Sequence, residues 1–210
     1  MGFFEPSEET SGPSKTASQV ADWVLETGDN AGLPFAVVDK ASAQVLVFDA
    51  QGRLKGSAPA LLGSAVGDHS VPGVGDRPLA EIAPEDRTTP AGRFVARYGP
   101  ATGGKRVLWV DYETSVSLHP VLSTDREERR LERLASATPQ DNRITYGCIN
   151  VPADFYKKVV RPTFKGSGVV YVLPDSTPLR QALPGFKPLV RKASVDQDET
   201  ADSKRKKRRR

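Results

Sequence analysis

Cysteine is nearly missing from this 210-residue chain; Cys148 stands alone. A single cysteine excludes an internal disulfide and leaves three fates: an inert buried residue, an intermolecular link or a reactive thiol. Histidine is almost as scarce, with His69 and His119 only. That set is too small for a zinc site of ordinary ligand spacing, so no metal is expected. No phosphate-binding loop pattern occurs, and no cofactor is implied. No apolar run is long enough to span a membrane. Residues 1–10 have neither a basic n-region nor an apolar h-region, so no secretory signal is legible there.

Charge of one sign is also scarcer than the total suggests. The formal net charge is +4, but residues 204–210 are all Lys or Arg. Without them, 23 basic residues face 26 acidic ones, a net charge of −3. The body is mildly acidic and the basic character belongs to a tail, so no nucleic-acid partner is expected of the body. The tail alone suits nucleic acid, anionic lipid or acidic wall polymer, or a solvated end with no partner.

What is abundant is turn chemistry: 18 Gly and 17 Pro beside a 38% hydrophobic content. That balance implies a mainly β, β-rich α+β fold with a few short helices. Residues 19–27 carry Val20, Trp23 and Val24 at helical spacing, with Ser18 as the expected N-cap. Residues 35–38 and 44–48 read as a hairpin around the loop 39–43, and a turn at Gly52 leads to a strand over 54–62. Residues 63–87 read as a long surface loop holding His69, and strands are expected near 94–98, 106–111, 116–119 and 168–173. Residues 123–137 read as a charged helix, with Thr124 and Glu127 spaced as a capping box. A further helix is expected from Pro152 to about residue 160. The organisation is a flexible leader with a short helix (1–31), one domain (32–175) and a flexible tail (176–210).

Gly147 before Cys148 lets the backbone turn sharply, and successive N–H groups near the thiol make a candidate oxyanion nest. A thiolate needs a base, and His119 ends a strand-like run before Pro120. On residue types alone this is a bare Cys/His pair.

Four ordered segments then carry a resemblance. They are FAVVDKASAQVLVFDAQGRL from Phe35, TTPAGRF from Thr88, VSLHP from Val116 and TYGCINV from Thr145. Residues 35–173 resemble the YkuD-type L,D-transpeptidase catalytic domain, whose signatures include T-P-x-G-x-F and [S/T]-H-G-C-h-N. The resemblance implies a YkuD-like β-sandwich or barrel in the periplasm or cell envelope, acting on peptidoglycan stem peptides. It implies Cys148 as nucleophile, His119 as general base, and backbone N–H groups of Tyr146, Gly147 and Cys148 around an oxyanion. Asn150 would brace the loop or meet substrate. The acyl acceptor stays open between a stem amine, water and a protein lysine, and a non-catalytic wall-binding module is the competing reading.

Two departures stand out. Tyr146 occupies the position of the signature's histidine, and the stretch between His119 and Cys148 is long. Its charged part suits either a lid, with Arg126, Arg129, Arg130 and Arg133 meeting carboxylates, or a solvated helix. Arg143 suits either a substrate carboxylate or a loop-anchoring ion pair. Tyr112 is either a cleft residue or a strand-end aromatic. Oligomeric state is not legible.

Overall fold

The computed structural model describes residues 12–188. Expectations for residues 1–10 and for the basic run 204–210 lie outside them.

Alternating Val, Phe and Leu build an eight-stranded sheet ordered β3-β2-β1-β10-β5-β6-β7-β9. The strands are β1 (Phe35–Asp39), β2 (Gln44–Phe48), β3 (Leu54–Pro59), β5 (Gly92–Pro100), β6 (Arg106–Asp111), β7 (Val116–Pro120), β9 (Ile149–Val151) and β10 (Ser167–Val172). Two short strands, β4 (Leu62–Gly63) and β8 (Arg143–Thr145), pair separately. The two edges of the large sheet approach each other. Leu61, just past β3, exchanges both backbone hydrogen bonds with Asn150 of β9, at 2.8 and 2.9 Å. The sheet therefore curls almost into a barrel, the mainly β architecture that the composition implies.

The turns follow their chemistry. Asp39 accepts from the N–H groups of Ala41 and Ser42, and Asp49 from those of Gln51 and Arg53. Each is a short polar side chain tying down its own loop.

The central strands β1 and β10 run parallel and are buried on both faces. Ala36, Val38, Val170 and Val172 face one cluster, with Leu108, Leu118, Ile149 and Val160. Phe35, Val37, Val169 and Tyr171 face another. That second cluster draws on segments on both sides of residues 32–175. Helix α1 (Lys15–Thr27) supplies Val20, Trp23 and Val24 to it, and Leu183 and Phe186 come from beyond residue 175. The apolar stripe of α1 covers a sheet face that would otherwise be wet, so neither segment is a loose flank. Its N-cap is Ser14, whose Oγ accepts from Ala17 N–H, rather than Ser18.

The loop 63–87 is less open than expected. Beneath it the Lys40 ammonium is fully buried, paired with Asp68 at 2.9 Å and Asp175 at 3.1 Å. Asp68 also accepts from the backbone N–H groups of Asp175, Ser176 and Thr177. Burial raises the Asp68 pKa, but the Lys40 bond and these amides outweigh it and hold the carboxyl well below the usual range.

The helix expected over 123–137 shrinks to α2 (Arg130–Leu134), and Arg129 before it adopts a left-handed conformation with φ 49°. Past Pro152 the expected helix forms as α3 (Ala153–Phe155), a π turn (Tyr156–Val160) and α4 (Arg161–Phe164).

Candidate active site

The parallel pair β7–β9 sets the site. Its register places Leu118 beside Ile149, His119 beside Asn150 and Pro120 beside Val151. Leu118, Ile149 and Val151 are core residues. Side chains alternate along a strand, so Ser117, His119 and Asn150 share the other face, where Cys148 enters the strand.

The Cys148 thiol is half-buried. It donates to the Ser115 carbonyl and contacts the Ser117 hydroxyl, each at 3.6 Å. Burial works against a thiolate here. Hydrogen bonding and charge from His119, then the backbone and hydroxyl of Ser117, outweigh it and lower the thiol pKa. His119 Nδ1 lies 2.8 Å from the Pro120 carbonyl. A carbonyl only accepts, so Nδ1 carries the proton and Nε2 keeps its lone pair. Asn150 Nδ2 donates to that Nε2 at 3.0 Å.

The loop before the cysteine is tightly tied. Gly147 has φ +127°, and a Cβ there would stand 2.7 Å from the Thr88 carbonyl oxygen, so no other residue fits without moving backbone. Thr145 Oγ1 accepts from Gly147 N–H at 3.1 Å and donates to the Cys148 carbonyl at 2.7 Å. The Gly147 amide, expected among the oxyanion donors, donates inside the loop. Thr89 is fully buried; its Oγ1 donates to the Gly147 carbonyl at 2.8 Å.

The remaining expected site residues scatter. Arg143 pairs with Asp175 at 2.6 Å and donates to the Lys40 carbonyl, joining the buried ionic cluster. Tyr112 is 77% exposed on the turn between β6 and β7, edge-on to Trp109. The Tyr146 ring lies under the Arg87 guanidinium, 4.3 Å away, rather than offering its hydroxyl to the thiol. Asn150 is fully buried and does not face solvent. His69 meets the loop through its carbonyl, which accepts from Thr88 Oγ1.

Ser117, Thr145 and Thr89 escaped the sequence reading, and Arg130 figured in it only among the arginines of a lid. Thr145 and Thr89 sit inside the quoted motifs, so their signal was present but unassigned. Ser117 is two residues before His119, the spacing that shares a strand face. Arg130 Nη1 donates to Asn150 Oδ1 at 2.8 Å, a contact no spacing announces.

Among the described residues, no group of three His, Cys, Asp or Glu is placed to hold a metal ion. A cavity of about 390 Å³ lined by Tyr98, Arg106, Tyr156, Arg161 and Lys165 borders the core side of the sheet, away from the thiol. No helix among the described residues is long and apolar enough to cross a membrane.

No family model matches the chain, and no curated protein does. Several solved structures are similar. The catalytic domain of the E. faecium L,D-transpeptidase, determined by NMR, is 16% identical over 66% of this chain and 95% of that one, with a TM-score of 0.38. The L,D-transpeptidase LdtMt1 in complex with imipenem is 15% identical over 67% of this chain, with a TM-score of 0.38. The helical cell shape determining protein Pgp2 from Campylobacter jejuni is 14% identical over 75%, with a TM-score of 0.43. The chain spans 58% of the LdtMt1 chain and 56% of the Pgp2 chain.

Proposed function

We propose that this protein is a cysteine-dependent L,D-transpeptidase of the cell envelope that acts on peptidoglycan stem peptides. The observation that carries the reading is the thiol with a lowered pKa beside an imidazole whose Nδ1–H is held by the Pro120 carbonyl. That arrangement suits nucleophilic attack on a carbonyl. The motif resemblance supplies the substrate class.

In this mechanism His119 Nε2 takes the Cys148 proton, and the sulfur attacks the carbonyl of the third stem residue. Backbone N–H groups of Tyr146 and Cys148 receive the negative charge on oxygen. The C–N bond to the terminal D-Ala breaks, and the imidazolium returns its proton to the leaving amine. An incoming amine then attacks the thioester. The new C–N bond forms, the C–S bond breaks, and the thiol is regenerated.

The test is covalent. Intact mass of the full chain after exposure to a tetrapeptide muropeptide, or to a carbapenem, should show an adduct on Cys148 and none in Cys148→Ala. An unmodified wild-type protein under both treatments rejects the enzyme reading in favour of a wall-binding module.

A further inference from the structure

The segment between His119 and Cys148 holds a charged group, Arg130, that reaches the buried Asn150. Arg130, the first residue of α2, is largely covered, with 14% of its side chain exposed. Its Nε and Nη2 grip both oxygens of Glu128, at 2.5 and 3.2 Å. Its Nη1 donates to Asn150 Oδ1. Glu128 is fixed in turn, because its carbonyl accepts from Arg133 Nε at 2.9 Å.

A guanidinium has donors only. The atom of Asn150 that faces Arg130 must therefore be the oxygen, which leaves the amide NH₂ for His119. An asparagine without that constraint can turn over and present its oxygen to the ring instead. The Pro120 carbonyl keeps a proton on Nδ1, so an oxygen at Nε2 would call for a second proton there, and the lone pair needed for the thiol proton would be gone. We infer that Arg130 is a positioning residue: it fixes the amide orientation of Asn150 and, through it, keeps Nε2 of His119 unprotonated. The inference rests on the reading of His119 as the base for Cys148. Glu128 neutralises the guanidinium charge, so what Asn150 receives is chiefly a donor in a set place. During turnover Asn150 releases Nε2 to the thiol and recovers it afterwards.

The geometry of α2 makes this possible. Glu128 and Arg130 are two residues apart, and on a continuous helix they would point to different sides. The left-handed Arg129 breaks the helix, lets the two pair, and turns Arg130 inward.

Imidazole ¹⁵N spectra of the full chain test the inference without substrate. Only two histidines need assignment, and His69→Gln separates them. Above neutral pH, His119 should carry its proton on Nδ1 in the wild type. Arg130→Met should give a mixture that includes rings protonated on Nε2, and alkylation of Cys148 by iodoacetamide should slow about tenfold. Arg130→Lys retains a donor to Oδ1 and should recover most of both signals. If Arg130→Met fails to fold by circular dichroism, Asn150→Asp carries the test. That side chain offers only acceptors when ionised, so Nε2 should gain a proton while Nδ1 keeps its own. An unchanged Nδ1–H spectrum in Arg130→Met or in Asn150→Asp overturns the inference, as does an Arg130→Lys protein as impaired as Arg130→Met. Because the spectra require no turnover, absent acylation with an intact tautomer pattern counts against the transpeptidase reading alone.

Discussion

Two polar clusters bear on the segment that carries Cys148, and they are built on different terms. The first joins Lys40, Asp68, Asp175 and Arg143. It holds two cations against two carboxylates, with side-chain exposures from 0% to 13%. It reaches the cysteine loop through Thr89, which accepts from Lys40 with its carbonyl and donates to Gly147 with its hydroxyl. The second joins Arg130, Asn150, His119 and Cys148. Its inner members are as tightly bonded, but it ends on a half-exposed thiol whose contacts to Ser115 and Ser117 are long, 3.6 Å each. The first cluster is charge-balanced and closed, which is what burial demands of ions. The second is closed everywhere except at the atom that would react. The contrast separates the two arginines near the cysteine better than residue type does: Arg143 pairs with Asp175, and Arg130 donates to Asn150.

The sharpest way to break the comparison is Cys148→Ala. It should eliminate acyl-adduct formation completely in intact-mass assays while leaving the melting temperature within a few degrees of wild type. Next is His119→Ala, expected to reduce the rate of acylation by about 10²–10⁴-fold in a stopped acylation assay. Near-normal acylation there would remove His119 from the role of base. In the first cluster, Lys40→Met leaves the buried Asp68 without a cation and Asp175 with Arg143 alone. It should cost about 3–5 kcal/mol in urea unfolding, a loss of fold and not of a reactive group.

Acid should distinguish the clusters again. The Asp68 carboxyl has a folded-state pKa below its unfolded value of about 3.9. Its contribution is therefore fully present above that pH and is lost as pH falls further. Asp68→Asn should be less stable at neutral pH but lose less stability between about pH 5 and pH 3 than wild type, as read by urea midpoints. The smallest expected effect is at the cleft edge. Tyr146→His removes the ring under Arg87 and should change acylation by less than about fivefold, in line with a cation–π contact of about 1 kcal/mol. A complete loss would assign the tyrosine a role of its own.

Much of this was legible from residue order. The β1–β2 hairpin, its Asp-anchored turns and the apolar β10 follow from local pattern, because strand alternation and turn residues act over a few positions. Cys148 and His119 were legible because the motif around each is short and ordered. Other features were hidden for physical reasons. Helix α1 has a plain amphipathic stripe, but nothing local says which surface it covers. The run 123–137 looks helical by propensity, yet Arg126 and Arg130, and Arg129 and Arg133, are like charges four apart, and the Glu128–Arg130 pair exists only where the helix is broken. The Lys40 cluster spans four distant segments, and distance along the chain carries no trace of it. Arg143 offered two equal readings to the sequence, and its partner Asp175 decides which contact it makes.

One feature of the sheet has a kinetic side. Asn150 closes the seam between the sheet edges with its backbone and holds His119 with its side chain. The seam is a single bridge at Leu61, without the long ladder that secures β5 against β6 and β10. Opening of that bridge frees β9 on one side while its pairing with β7 keeps Asn150 beside His119 on the other, so the seam can breathe without parting the imidazole from its partner. Exchange of the Leu61 and Asn150 amide hydrogens would time that opening directly.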